Sequence, residues 1–129
     1  MSFDELFNRN FDIRDCELVK YEKGEVVVKT IVNETDTNPY GKAHGGYLYT
    51  LCDSMAGLVA YSLGSYCVSL QANINYIKEA NVNDELMICG TYSHNGKSTK
   101  VVDVEIKNQD DKLICKTSFT LYKIKEVEE

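Results

Sequence analysis

The chain has 129 residues, 43% hydrophobic and 26% charged, with a net charge of −6. That balance belongs to one soluble globular domain, expected here over residues 1–129. The acidic surplus excludes the basic footprint that sequence-independent nucleic-acid binding requires.

The N-terminal residues carry no basic stretch followed by an apolar core of the secretory kind, so a cytoplasmic location is expected. Five cysteines (Cys16, Cys52, Cys67, Cys89 and Cys115) are scattered, odd in number and without a CxxC pair. Free thiols in a reducing compartment fit that pattern. The two histidines, His44 and His94, have no Cys or Glu near them at ligand spacing, so no metal site is expected.

In chain order, Ser2-Phe3-Asp4-Glu5 fits a capping box, with Ser2 as N-cap and Glu5 at N3, ahead of a short helix carrying Phe3, Leu6 and Phe7. Residues 16–22 and 25–32 read as two strands joined at Lys23-Gly24. Residues 33–42 are a loop, marked by Asn, Thr, Asp, Gly and the chain's one proline, Pro39. An apolar helix follows and is expected to end near Gly64 as its C′ residue.

Beyond it the period changes to two. Val68, Leu70, Ala72, Ile74 and Tyr76 alternate with Ser69, Gln71, Asn73 and Asn75, the pattern of a half-buried strand over 68–77. Residues 84–92 follow, with Leu86, Ile88 and Tyr92 on one face. Asn95-Gly96 predicts a hairpin turn into a strand over 97–107, where Val102, Val104 and Ile106 are in phase. A polar turn at 108–111 leads to a last strand over 112–124, with Leu113, Cys115, Phe119 and Leu121 inward, and the tail KEVEE is expected to fray. Short turns between the last four strands predict an antiparallel meander.

One acid stands out. From Ala43 to Leu63 the sequence reads AHGGYLYTLCDSMAGLVAYSL, and Asp53 is its only formally charged side chain. A helix apolar on every face is normally buried, and an unpaired carboxylate there costs several kcal/mol or more. Such an acid points to a general base or nucleophile rather than to a structural role. The run is long enough to span a bilayer, but the mid-helix acid, the hydroxyls and the amphipathic strands on either side argue against that. One sheet covers only one side of such a helix, so a second copy of the chain is expected on the other.

The segment Asn38-Pro39-Tyr40-Gly41-Lys42-Ala43-His44-Gly45-Gly46, followed by Leu51-Cys52-Asp53, resembles the hotdog-fold acyl-CoA thioesterases of the PaaI type. The resemblance implies an α+β hotdog fold: one long central helix wrapped by a curved, mostly antiparallel sheet of about six strands, with a short N-terminal helix. It implies hydrolysis of acyl-CoA to free acid and coenzyme A, the coenzyme being part of the substrate and no separate cofactor being used. Asp53 is then the base or nucleophile, the Gly45 N–H the group that polarises the carbonyl, Asn38 the amide that meets the thioester or the attacking water, and His44 a residue that holds loop or thioester. Some relatives place a water-holding hydroxyl one turn after the acid, where this chain has Gly57.

Gly46, His94, Gly96, Lys97 and Ser98 are candidate substrate-binding residues, the last four as a phosphate-facing hairpin for coenzyme A. An ordinary exposed turn is the alternative there. Tyr47, Tyr49, Tyr61 and Tyr66 could line an acyl pocket or pack the core.

Eight residues of helix rise about 12 Å, too far for Gly45 and Asp53 of one chain to serve one carbonyl. Antiparallel helices from two chains close that gap. A homodimer with shared sites is therefore expected, and the resemblance extends this to a tetramer built as a dimer of dimers. The rival reading is a non-catalytic acyl-CoA-binding hotdog protein, a sensor or carrier.

Overall fold

The computed structural model describes residues 1–11 and 16–128. Its elements are α1 (Phe3–Phe11), β1 (Glu17–Glu22), β2 (Glu25–Ile31), a 3-10 turn (Glu34–Asp36), α2 (Gly45–Ser62), β3 (Ser65–Tyr76), β4 (Glu85–Asn95), β5 (Thr99–Lys107) and β6 (Leu113–Glu126). The strands form one six-stranded antiparallel sheet in the order β1-β2-β4-β5-β6-β3. The long helix and the wrapping sheet expected from the sequence are both present.

Local chemistry sets the ends of these elements. The Ser2 Oγ accepts from the Glu5 N–H at 3.2 Å and opens α1. Gly24 closes the β1–β2 hairpin at φ +82°, and Gly64 follows α2 at φ +94°, both in the left-handed region that glycine enters without strain.

The core lies between α2 and the inner face of the sheet. Leu48, Leu51, Cys52, Met55, Leu58 and Val59 on the helix meet Val26, Val28, Leu86, Ile88, Val102, Val104, Ile106 and Phe119 on the strands, all buried. Each large side chain among them contributes about 1.5–3 kcal/mol by leaving water. A second side of α2 is covered by α1, whose Asn10 carbonyl accepts from the Ser54 Oγ at 2.9 Å. The side left over carries Gly46, Thr50, Asp53 and Gly57, spaced four, three and four residues apart along one helix face and only partly covered. Among the described residues no helix is long and apolar enough to cross a membrane.

Four expectations from the sequence are corrected. The last four strands are not one meander: β4, β5 and β6 are, but β3 pairs with β6 as an edge strand. The link over residues 77–84 passes across the end of the sheet, tied by Ile77 N–H to the Ile114 carbonyl at 2.8 Å and by Ala43 N–H to the Ala80 carbonyl at 2.8 Å. Second, the inward face of β3 is not a single alternating row. A register shift between Ser69 and Gln71 inserts a residue, so Val68 and Leu70 are 48% and 61% exposed while Ser69 turns toward α2.

Third, the β4–β5 turn is centred on Lys97-Ser98, because the Gly96 N–H donates to the Thr99 carbonyl at 2.9 Å. Gly96 is needed beside it, since a Cβ there would lie 2.5 Å from the His94 Nε2. Fourth, the tail does not fray within the described residues. The Val127 N–H donates to the Gly64 carbonyl at 2.9 Å, and Glu128 meets both the N-terminal ammonium and the Tyr66 hydroxyl.

Candidate active site

The loop before α2 is built to present the helix start. Asn38 closes it as an Asx turn, its Oδ1 accepting from the Tyr40 N–H at 2.9 Å and the Lys42 N–H at 3.2 Å. With Oδ1 committed, the amide nitrogen is the end of the side chain left to donate to a ligand. His44 is the N-cap of α2. Its Nδ1 accepts from the Gly46 N–H at 3.0 Å, which places the ring's own N–H on Nε2. Gly46 is thereby spent on the cap, whereas the Gly45 N–H, at the first helical position, has no acceptor within the helix.

Asn38 and Gly45 line one cavity of about 330 Å³, together with Lys42, Ala43, Leu48, Tyr76, Ile77, Lys78, Glu79 and Ala80. The positive end of the α2 dipole opens into it. Tyr76, which the sequence marked only as an inward residue of β3, donates its hydroxyl to the Gly45 carbonyl at 2.8 Å. Burial pushes its phenol above the ordinary value, so it remains a donor.

Asp53 lies elsewhere. It sits on the partly covered face of α2, eight residues on from Gly45, and does not line that cavity. The expectation of an acid buried by apolar neighbours is corrected at this point: within one chain Asp53 keeps contact with solvent. Its Oδ1 accepts a hydrogen bond from the Ser69 hydroxyl at 2.7 Å. Ser69 is the residue sequence reasoning missed, because strict alternation put it on the outer face and only the bulge turns it inward. At Gly57, the position one turn after the acid, nothing lies within 4 Å of an added Cβ.

The nearest thiol, Cys52, is buried against Cys115 with the sulfurs 3.9 Å apart, and that contact and burial keep it protonated. It is therefore no rival nucleophile.

The hairpin with His94, Gly96, Lys97 and Ser98 is far from the Gly45 cavity of the same chain. Thr99 pairs with Tyr122 of β6, whereas Tyr76 pairs with Cys115, a separation of about 23 Å along the strand. The hairpin is close to Ser69 instead, which pairs with Leu121, about 10 Å away across two strand spacings. The four tyrosines divide: Tyr49 packs on Phe119 and Tyr61 on Tyr66, each pair at 5.7 Å, while Tyr47 lines a second cavity of about 250 Å³ beside α1.

The family model for the thioesterase superfamily matches residues 40–115, from the loop through α2 to β6. The chain belongs to the thioesterase superfamily. A hypothetical thioesterase protein of Streptococcus pneumoniae, solved with coenzyme A, is 42% identical with a TM-score of 0.90, covering 98% of this chain and 97% of that one. The pneumococcal protein has also been solved with an aspartate and, separately, a threonine exchanged for alanine, at positions 16 apart. Human acyl-coenzyme A thioesterase 13 is 30% identical over 105 residues, covering 78% of this chain and 75% of the relative. Acyl-coenzyme A thioesterase PaaI of Escherichia coli is 29% identical over 99 residues, covering 77% and 71%. The PaaI-type resemblance carried by the His-Gly-Gly motif and its spaced acid thus holds for the family as a whole.

Proposed function

We propose that the chain hydrolyses acyl-CoA thioesters to free acid and coenzyme A, at sites that two copies build together. One observation carries the reading: a helix start with a free N–H opens into a cavity beside Asn38, while the acid of the same helix lies about 12 Å further on, outside it. A second chain running antiparallel brings its Asp53 to the first chain's Gly45. The face that carries Asp53 is made of Gly46, Thr50 and Gly57, small enough for another helix to approach closely.

In each such site the thioester carbonyl oxygen accepts from the Gly45 N–H and the Asn38 amide, where negative charge develops on attack. Asp53 of the other chain takes a proton from water as the water oxygen bonds to the carbonyl carbon. The tetrahedral intermediate then expels the coenzyme A thiolate, which gains a proton. Direct attack by Asp53 and hydrolysis of the resulting anhydride uses the same groups. Ser69 orients the carboxylate by holding one oxygen and leaves the other to act. Its spacing of 16 from Asp53 equals that between the two residues exchanged in the pneumococcal variants.

The hairpin at His94, Gly96, Lys97 and Ser98 joins the site from the chain that supplies Asp53, where Lys97 meets a phosphate of coenzyme A as a point charge. A homodimer is the least assembly this chemistry needs, and a dimer of dimers is compatible with it. No cofactor beyond the substrate's own coenzyme A enters any step.

The test is hydrolysis of acetyl-CoA, hexanoyl-CoA and benzoyl-CoA by the wild type and by Asp53→Asn, which keeps the shape of the side chain and removes its basic oxygen. We expect turnover of at least one thioester and a loss of about 10²–10⁴-fold in the variant. Tight binding of all three without turnover would favour the acyl-CoA sensor or carrier instead.

A further inference from the structure

The start of α2 has a weakness built into its sequence. Two successive glycines have more backbone freedom than any other pair, and they sit in the turn whose N–H groups have no helical acceptor. Within the helix only the carbonyl of the Gly45–Gly46 peptide has a partner, so its N–H end, and with it the direction of the neighbouring Gly45 N–H, is loosely held by α2 alone.

Two side chains hold that peptide, one at each end. Its carbonyl, from Gly45, accepts from the Tyr76 hydroxyl at 2.8 Å, and its N–H, from Gly46, donates to the His44 Nδ1 at 3.0 Å. The fit around Tyr76 is close: a Cβ at Gly45 would lie 3.2 Å from both the Tyr76 Cζ and its oxygen. Glycine at 45 therefore makes room for the phenol as well as for a ligand. The Tyr76 backbone is fixed by the sheet, while the residue as a whole is 52% exposed. It ends β3 opposite Cys115 of β6, and the next residue, Ile77, donates its N–H to the Ile114 carbonyl at 2.8 Å. The sheet thus delivers one side of the grip and the capping loop the other. Tyr76 also lines the cavity into which Gly45 opens.

We propose that Tyr76 is a positioning residue for the thioester carbonyl, its hydroxyl and the His44 imidazole gripping the Gly45–Gly46 peptide from both ends so that the Gly45 N–H keeps its aim. The role rests on the reading of Gly45 as the carbonyl-polarising group. It acts through the backbone, without touching the reacting atoms. Its benefit is preorganisation: a donor already aimed needs no reordering as charge develops on the oxygen.

Tyr76→Phe tests it, since the ring stays to fill its space and only the hydroxyl is lost. Two readouts are needed on the intact protein: amide hydrogen exchange at Gly45 and Gly46 by NMR, and kcat and KM on whichever of acetyl-CoA, hexanoyl-CoA or benzoyl-CoA turns over fastest. The expected result is exchange about 3- to 10-fold faster, confined to the first turn of α2, with kcat down by a similar factor and KM within about twofold. Unchanged exchange at Gly46 overturns the grip, whatever the activity does. Faster exchange with unchanged kcat overturns its positioning role, as does a loss of kcat accompanied by faster exchange throughout α2. A wild type inactive on all three thioesters would instead bring down the thioesterase reading and the purpose of the grip with it, while the exchange rates alone still decide whether the grip exists.

Discussion

A carboxylate takes a proton most readily when one of its oxygens is held facing the water it must deprotonate. On the proposed mechanism, the Ser69 hydroxyl, 2.7 Å from the Asp53 Oδ1, holds one oxygen and leaves the other toward the water. Removing it in Ser69→Ala leaves Asp53 loosely oriented, and kcat is expected to fall about 3- to 30-fold with little change in KM. Ser69→Thr keeps the hydroxyl and should restore most of the rate, in line with the threonine that the pneumococcal relative carries 16 residues from its exchanged aspartate. Steady-state kinetics of the two variants decide the matter. Equal losses in both would mean that Ser69 serves packing and that its hydroxyl does not steer the acid.

At the scale of elements, the site depends on how closely α2 lies on the sheet. Gly90, in the middle of β4, marks the tightest point: a Cβ there would lie 2.7 Å from the Met55 Cγ and 2.7 Å from the Val59 Cγ2. Gly90→Ala is expected to lower stability by about 1–3 kcal/mol in urea denaturation, the usual cost of overpacking a filled core. Unchanged stability would show that the helix lifts away at no cost. Most of this architecture is legible in the sequence. Asp53 and His44-Gly45-Gly46 stand out because charge, glycine pairs and capping residues carry their physics locally, and the helix and strands follow from their periods. Ser69 and Tyr76 do not stand out, for a physical reason. A bulge adds one residue without changing the composition, so the alternation of β3 reads as one row when it is two. Likewise the eight-residue link over 77–84 looks like a turn between neighbours, and nothing local says that it crosses to another strand.

On the proposed mechanism, one chain holds two half-sites and no complete one. Each half lacks what the other has: Asn38 and Gly45 at one end of α2, Asp53 and Ser69 on its flank. The direct measurement is complementation between two inactive variants. Asp53→Asn removes the proposed base, and Gly45→Val is expected to block carbonyl approach while crowding Tyr76, which stands 3.2 Å from the added carbon. In a heterodimer of the two, one site carries both defects and the other carries neither. Random co-refolding yields about half heterodimers, so roughly a quarter of the wild-type sites, and of the wild-type rate, should return. Mixtures that stay as inactive as their parents, with subunit exchange confirmed and both variants folded, would contradict a shared site.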